Sequence, residues 1–174
     1  MLPPFPQLTL ENVAEVRRLY DRCRAFFELI SKKGLTEDAP ERLFVGRPPA
    51  LPQKNKVVLG IYQDEQLAGV FDILLGYPNA ETGFIGLFLL DPDNREMGLG
   101  SRAYIQVEAW FQQLGMTEVQ LGVQMNNAVG RRFWEKHGFV YVKDVPLLGD
   151  DAVNGEVHFF RKTIIPGEIL APGE

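Results

Sequence analysis

The stretch that decides the fold runs from residue 85 to residue 101. It begins with the apolar run Ile85-Gly86-Leu87-Phe88-Leu89-Leu90, stops at Asp91-Pro92, and continues through Arg95-Glu96-Met97-Gly98-Leu99-Gly100-Ser101 into a helical pattern. The missing alternation predicts a strand buried on both faces. Gly98 and Gly100 let the backbone approach a ligand, and the N–H groups of a helix N-terminus attract an anion. With the Arg95 guanidinium, the stretch predicts a site that fits a pyrophosphate.

Two common phosphate-binding motifs do not fit this stretch. Gly98-x-Gly100-x-x-Ala103 has the spacing of dinucleotide-binding glycines, but residues 91–97 separate it from the preceding strand. Glu118 also precedes the next predicted strand, whereas the ribose-binding acid of that motif follows a strand. A Walker loop needs Gly-Lys-Ser/Thr, and this chain has Gly-Ser-Arg at 100–102. Context therefore excludes both motifs.

Hydrophobic periodicity around this stretch predicts a mixed α/β chain. We expect a short strand at 8–10, a helix from Asn12 to about Gly34, and a long connection over 34–56 with one helical turn near 41–45. There follow a hairpin of strands 57–62 and 67–75, a strand at 84–90, a helix at 98–114, a strand at 119–123, a helix at 128–137, and strands at 139–142 and 156–164. We predict a single domain over residues 1–165 and a C-terminal tail over 166–174.

Composition narrows the function classes. The chain has 174 residues, 18 Lys+Arg, 23 Asp+Glu and a net charge of −5, with 45% hydrophobic residues. This is typical of one globular domain, and the acidic balance argues against a nucleic-acid binder. Cys23 is the single cysteine, so the sequence predicts no intrachain disulfide. The two histidines, His137 and His158, are too few and too isolated in the sequence to predict a metal cluster. We find no membrane span and no signal peptide, and expect a cytoplasmic location.

A second motif follows the predicted strand at 119–123. It reads Leu121-x-Val123-x-x-x-Asn127-x-x-Gly130-x-x-Phe133-Trp134-Glu135-Lys136-His137-Gly138-Phe139. Together with Arg95-x-x-Gly98-x-Gly100, it resembles the GNAT family of acyl-CoA N-acyltransferases. That family has Arg/Gln-x-x-Gly-x-Gly/Ala as its pyrophosphate loop. Its second signature has a Leu-x-Val strand, an Asn, and a short helix that closes with Tyr-Glu-Lys-x-Gly-Phe.

The resemblance implies a fold and a reaction. The fold is a central, mostly antiparallel mixed β-sheet of about seven strands, with helices on both faces and a splayed strand pair for coenzyme A. The reaction is direct attack of a small molecule's primary amine on acetyl-CoA, the co-substrate, without a metal. The alternatives are acetylation of a protein Lys or N-terminus, and a non-catalytic acyl-CoA-binding module. Dimers are common in the family, and an exposed strand near 156–164 offers an edge for pairing.

The resemblance also implies which residues hold the cofactor. The backbone of Leu89 and Leu90 should bind pantetheine. Asn127 should reach the pantetheine arm or the thioester, and Phe133 should line the cofactor's path. The pyrophosphate should be held by Arg95 and by the amides of Glu96, Met97, Gly98, Leu99, Gly100 and Ser101. Asn127 is equally suited to cap the helix that follows it, and Phe133 is equally suited to the core.

The reaction needs a base, because an alkyl amine has a pKa of about 10.4. Asp72 is our first candidate, since it interrupts the apolar run Val70-Phe71-Asp72-Ile73-Leu74, where burial would raise its pKa. The alternative is a carboxylate paired with a neighbouring cation. Glu81, just before the cofactor strand, is the second candidate. Glu28 and His158 are better explained as a solvated helix residue and a strand histidine.

The chain departs from the family at the residue that usually acts as the acid. Trp134 occupies the place of the helix Tyr. An indole N–H donates a hydrogen bond but does not transfer a proton near neutral pH. Either the thiolate leaves unassisted, or Tyr104 or Tyr141 replaces the missing hydroxyl. We expect the first helix, the 34–56 connection and the strand ends to recognise the acceptor, and no motif identifies the amine.

Overall fold

The computed structural model describes residues 1–147 and 151–167, which form one mixed sheet flanked by helices. Its strands are β1 (Lys56–Gln63), β2 (Gln66–Leu75), β3 (Thr82–Leu90), β4 (Glu118–Gln124), β5 (Val140–Pro146) and β6 (Glu156–Thr163). Its helices are α1 (Val13–Arg22), α2 (Arg24–Ile30), α3 (Ala39–Val45), α4 (Leu99–Gln113) and α5 (Ala128–Lys136). The strand order is β1-β2-β3-β4-β6-β5, with β3 and β4 parallel and the other pairs antiparallel. The predicted mixed, mostly antiparallel sheet is confirmed.

The short strand predicted at residues 8–10 is wrong. Gln7 makes an isolated bridge to Leu59, and the Leu8 N–H donates to the Val58 carbonyl at 2.8 Å. A 3₁₀ turn over Leu10–Asn12 follows at once, because Thr9 and Asn12 cap it reciprocally. This turn ends the extended segment, so the sheet has six strands in the described residues, not about seven.

The single long helix predicted after Asn12 is interrupted at Cys23. The Cys23 backbone leaves helical geometry (φ −96°, ψ 16°), and the Cys23 N–H donates to the carbonyls of both Leu19 and Tyr20. The Cys23 thiol meets the carbonyl of Leu90 at the end of β3, with a sulfur–oxygen distance of 3.5 Å. The break comes from this contact with a distant strand, and the periodicity of the helix itself does not show it.

Helices cover both faces of the sheet, as predicted, and each face has its own core. On one face, α4 and α5 bury Ala103, Tyr104, Val107, Trp110, Phe111 and Trp134 against the strands. On the other, α1 and α3 bury Val16, Leu19, Tyr20, Leu43 and Phe44. The alternation of β1 explains this division, because Leu59 and Ile61 face the first core and Val58 faces the second.

The strands β3 and β4 pair over only half of their length. Residues 82–85 of β3 align with residues 118–121 of β4. At that point Gly86 is an extra residue, because Ile73 lies opposite Ile85 while Asp72 lies opposite Leu87. Such a bulge bends a strand. Beyond it β3 stays with β2 and β4 stays with β6, which opens the predicted splay.

The prediction that β3 is buried on both faces holds only up to this bulge. Ile85 is buried, whereas Gly86 is exposed and Leu87, Phe88 and Leu90 are half-buried. The reason is the divergence of β4, which leaves the second half of β3 with a strand on one side only. The open half of β3 therefore borders a gap in the sheet.

The strand near 156–164 is not an exposed edge, so that prediction is wrong. β6 pairs with β4 on one side and with β5 on the other. The edge strand at this end of the sheet is β5, whose Val140, Tyr141 and Val142 are exposed. Of the predicted tail, residues 168–174 lie outside the described residues, and the Gly167 N–H donates to the Gln112 carbonyl at 2.9 Å. None of the helices in the described ranges is long and apolar enough to cross a membrane.

An ion pair joins α1 to the end of β3, and we expect it to matter for stability. Arg22 pairs with Asp91, whose side chain is 5% exposed, and also donates to the Leu67 carbonyl at 2.8 Å. Asp91→Ala leaves the Arg22 charge without its partner, so the free energy of unfolding should fall by about 3 kcal/mol in urea denaturation. Asp21→Ala, which breaks the exposed pair with Arg24, should cost less than about 1 kcal/mol. Equal losses for both variants would contradict this difference.

Candidate active site

The N-terminus of α4 has free backbone donors. The helix begins after Gly98, whose φ of 71° lies in the left-handed region that favours glycine. The first bond of the helix runs from the Arg102 N–H to the Gly98 carbonyl. Within the described residues, the N–H groups of Leu99, Gly100 and Ser101 have no acceptor. Free N–H groups at a helix N-terminus can hold an anion.

The packing around Gly100 leaves little room for a side chain. A Cβ at this position would lie 3.0 Å from Leu90 Cδ1 and 3.3 Å from Phe133 Cε2. The glycine therefore lets α4 approach both β3 and α5. Phe133 is half-buried, and its ring centroid lies 5.6 Å from that of Phe88. Phe133 thus packs at the margin of the core, beside the start of α4.

Arg95 stands between the end of β3 and the start of α4. Its Nε donates to the Leu90 carbonyl at 3.1 Å, and the residue is exposed. The intervening Glu96 has a φ of 28°, and the Met97 N–H donates back to the Arg95 carbonyl. Arg95 and the free N–H groups of α4 are therefore brought to the same end of the molecule.

Backbone groups of β3 face the gap that β4 leaves. The Asp91 N–H donates to the Ala68 carbonyl at 2.8 Å, on the side of β2. Because hydrogen-bonding direction alternates along a strand, Leu89 also turns toward β2, and Phe88 and Leu90 turn the other way. Of the two predicted backbone sites, the structure thus directs Leu90 toward the gap and Leu89 away from it.

A cleft occupies this gap, and elements from both faces of the sheet line it. Its walls come from α2, the second half of β3, the end of β4 and the start of α5. They comprise Phe26, Ile30, Ile85, Gly86, Leu87, Phe88, Leu121, Gly122, Val123, Gln124, Asn127 and Trp134. No charged side chain is part of this lining. The Asn127 side chain caps α5 by accepting from the Gly130 N–H at 2.9 Å, as its residue type suggested.

Asp72 lies beside the bulge, on the face covered by α1 and α3. A Cβ on Gly86 would lie 3.0 Å from Asp72 Oδ2, so the glycine makes room for the carboxylate. Asp72 Oδ1 is 2.6 Å from Lys56 Nζ, which also donates to the Gly46 carbonyl at 2.7 Å. Asp72 is therefore paired with a neighbouring cation, which was the alternative stated for it from the sequence. Burial raises the pKa of Asp72, and Lys56 opposes that rise.

The structure does not bring Glu81 to this site. Glu81 is exposed and precedes β3 at the end that stays paired with β4. Glu81 precedes Ile85 by four positions, or about 13 Å of extended chain. Its Oε2 accepts a hydrogen bond from Thr117 Oγ1 at 3.4 Å. Glu28 is exposed on α2.

Trp134 forms part of the cleft wall, and neither candidate tyrosine takes its place there. Its ring centroid lies 5.2 Å from that of Tyr104, at an interplanar angle of 90°. Tyr104 is fully buried, and burial together with Glu108 raises the pKa of its hydroxyl. Tyr141 is exposed on the edge strand near His158, which pairs with Asp144 at 2.6 Å. Neither tyrosine lines the cleft, and His158 does not line it either.

The sequence reasoning missed Lys56 and Gln124. Lys56 is 5% exposed, and its only sequence signal was a cation directly before the apolar strand segment 57–62. Gln124 ends β4, and its side-chain oxygen is buried without a partner in the described structure. The signal there was a polar residue next to Val123 where the predicted strand stops. In both cases the register of the sheet determines which groups surround the residue, and the sequence does not show that register.

Comparison with known families decides the classification. The sequence profile of the acetyltransferase (GNAT) family matches residues 14–139. The chain belongs to this family. The resemblance inferred from the two motifs is confirmed, and with it a GNAT acetyltransferase domain. A search of curated proteins found no match.

Solved structures share the GNAT fold at low sequence identity. An acetyltransferase from Thermus thermophilus is 21% identical, with a TM-score of 0.75 over 94% of this chain and 98% of that one. The PaiA N-acetyltransferase from Thermoplasma acidophilum, solved with coenzyme A, is 17% identical, with a TM-score of 0.66 over 94% and 100%. Naa50 from Arabidopsis thaliana, bound to the bisubstrate analogue CoA-Ac-MVNAL, is 15% identical, with a TM-score of 0.66 over 91% and 97%.

Proposed function

We propose that this GNAT protein transfers the acetyl group of acetyl-CoA to the primary amine of a small molecule. The observation that carries the proposal is the coincidence of two features at one end of the sheet. The bulge at Gly86 opens a cleft between β3 and β4, and the free N–H groups of α4 begin beside it. A long cofactor with an anionic end and a reactive end fits this arrangement.

In this proposal the pyrophosphate lies at the start of α4. The N–H groups of Leu99, Gly100 and Ser101 donate to it, and Arg95 swings from the Leu90 carbonyl to pair with it. Glu96, Met97 and Gly98 shape the turn that brings these groups together. The pantetheine arm then follows the backbone of β3 past Leu90 and Phe88, with Phe133 and Asn127 on the side of α5. This places the thioester in the cleft.

We assign the base to Asp72. Its raised pKa suits proton uptake from an ammonium group, and the carboxylate reaches the bulge where the cleft begins. Asp72 first takes a proton from the ammonium group, directly or through water, and the neutral amine nitrogen then bonds to the thioester carbon. A backbone N–H of the open half of β3 stabilises the oxyanion. The carbon–sulfur bond then breaks, and the CoA thiolate leaves without an acid, since Trp134 supplies none. The second proton of the amine passes to solvent.

The walls of the cleft favour a small acceptor with an apolar body. Phe26 and Ile30 of α2 face Leu87 and Gly122 of the strands, and Gln124 offers one unpartnered oxygen. The end of α2 is fixed in place, because Asn126 Nδ2 donates to the Leu29 carbonyl at 2.7 Å. An uncharged wall binds a compact apolar amine better than a polycation.

Free-thiol release from acetyl-CoA tests this function on a panel of amines. The panel contains aryl-alkyl amines, amino acids, polyamines, aminoglycosides and short peptides, with thermal shift by CoA measured alongside. We expect a CoA-dependent shift, with turnover on the compact apolar amines. Turnover on peptides alone would instead assign a protein N-terminus or Lys as the acceptor. A shift without turnover on any amine would favour a non-catalytic acyl-CoA-binding module.

We further propose a homodimer that pairs through β5. Val140 and Val142 are exposed on this edge strand, whose outer hydrogen-bonding side has no neighbouring strand in the described sheet. Sedimentation equilibrium should give twice the chain mass of 19.7 kDa. Val142→Lys places a charge on the edge and should return the mass to that of one chain. A monomeric wild-type protein would contradict the proposal.

A further inference from the structure

His137 touches the proposed pyrophosphate site from the side of α5. It is the first residue after that helix, and its Nε2 lies 3.0 Å from Ser101 Oγ in the first turn of α4. The imidazole centroid lies 4.7 Å from the Phe133 ring and 5.0 Å from the Tyr104 ring. The ring is therefore held in place against a hydroxyl that neighbours the free N–H groups.

The charges around His137 disfavour its protonated form while the site is empty. Burial is the largest cause that lowers the pKa of His137, and Lys162 of β6 and Lys136 of α5 lower it further. Glu108 of α4 opposes them, but it is paired with Lys162 at 2.5 Å. The positive end of the α4 dipole acts in the same direction as the lysines, whereas the negative end of the α5 dipole, where His137 lies, acts with Glu108. At neutral pH the ring is uncharged and able to accept the Ser101 O–H.

We propose that His137 is a positioning residue that takes up one proton when the pyrophosphate of the cofactor binds. The proton comes from solvent and forms the Nε2–H bond, so that the imidazolium donates to Ser101 Oγ. Ser101 then directs its own O–H to a phosphate oxygen, and the imidazolium adds a positive charge near the anion. This inference rests on the proposed function, because it needs the cofactor at the start of α4.

Proton uptake makes cofactor affinity depend on pH with a definite sign. A bound anion raises the pKa of His137 relative to the empty site. Affinity is therefore greatest below both pKa values, and is lost as pH rises through the pKa of the bound state. Each unit between the two values changes the affinity by about tenfold. A ring that serves only as packing would give no such dependence.

Titration calorimetry with dephospho-CoA tests the proposal without an acceptor amine. This ligand lacks the 3′-phosphate, whose own second pKa of about 6 would obscure the result. Measurements at pH 5.5–8 in buffers of different ionisation enthalpy count the protons taken up. For a one-unit rise in the pKa of His137, we expect a maximum uptake of about half a proton, and an affinity up to about tenfold higher at pH 5.5 than at pH 8.

Two variants separate the roles of the histidines. His137→Gln keeps an N–H that can donate to Ser101 but does not titrate, so binding should persist with no proton uptake and little pH dependence. His158→Gln, at the other histidine, should behave like the wild-type protein. Binding to the wild-type protein without proton uptake, or unchanged proton uptake in His137→Gln, would overturn this inference and leave the proposed function standing. Absence of dephospho-CoA binding at every pH would contradict the proposed function as well.

Discussion

Asp72→Asn is expected to slow acetyl transfer by about 10²–10⁴-fold while CoA binds with unchanged affinity. The amide keeps the size of the carboxylate but does not take the proton that the ammonium group of the acceptor must lose before it attacks. CoA affinity should not change, because Asp72 lies on the face of α1 and α3, away from the start of α4. Thiol release with the best amine of the panel measures transfer, and titration calorimetry measures CoA binding.

Lys56 provides the matched controls for this prediction. Asp72→Asn leaves the Lys56 charge buried without a partner, which lowers stability by about 3–5 kcal/mol. The double variant Asp72→Asn with Lys56→Met removes both charges, so it should be well folded and equally slow. Lys56→Met alone keeps the base but removes the cation that holds the Asp72 pKa down. Its transfer should remain, with the acid limb of the pH profile moved to higher pH.

The pH dependence of acetyl transfer tests Asp72 as the base in a second way. The Asp72 pKa is raised above its ordinary value, so wild-type transfer should rise with pH as the carboxylate loses its proton. An acid limb that stays in place in Lys56→Met would exclude Asp72 as its source. Full transfer by a folded Asp72→Asn variant would remove Asp72 from the mechanism.

Arg95→Glu is expected to weaken CoA binding by about two orders of magnitude. The substitution replaces a charge-assisted hydrogen bond to phosphate by repulsion. Loss of such a bond alone lowers the affinity by about 10–100-fold. The fold should be unaffected, since Arg95 is exposed and its side chain donates a hydrogen bond to the Leu90 carbonyl at the end of β3. Titration calorimetry measures the affinity, and circular dichroism checks the fold.

Lys54→Glu is the control with the same change of charge. Lys54 is exposed in the turn before β1, at the end of the sheet away from Leu90. CoA affinity in this variant should change by less than about threefold, because the charge is remote and screened. Equal effects of the two variants would mean that Arg95 acts only through net charge and does not contact the cofactor.

Local patterns were sufficient for the elements that depend on neighbouring residues. The hairpin predicted around residues 63–66 forms with Asp64 and Glu65 at the turn, both at positive φ (49° and 62°). The start of α4 follows from Gly98, and the end of α5 follows from Gly138, whose φ is 86°. In each case the residue type and its immediate surroundings determine the backbone.

Contacts between distant segments explain what the sequence did not show. The helix break at Cys23 depends on Leu90, and the bulge at Gly86 depends on the register of β2 against β3. Asp72 was noticeable as a polar residue in an apolar strand, but its partner Lys56 lies on the neighbouring strand. Register is a property of the whole sheet. Local sequence patterns therefore predicted neither the bulge at Gly86 nor the burial of Lys56.

A crystal structure with acetyl-CoA tests the central claim most directly. The account predicts a pyrophosphate oxygen within hydrogen-bonding distance of the N–H groups of residues 99–101. It also predicts a thioester in the cleft between Gly86 and Gly122, near the Asp72 carboxylate. Acetyl-CoA bound elsewhere, with the start of α4 free of phosphate and the cleft empty, would contradict the account.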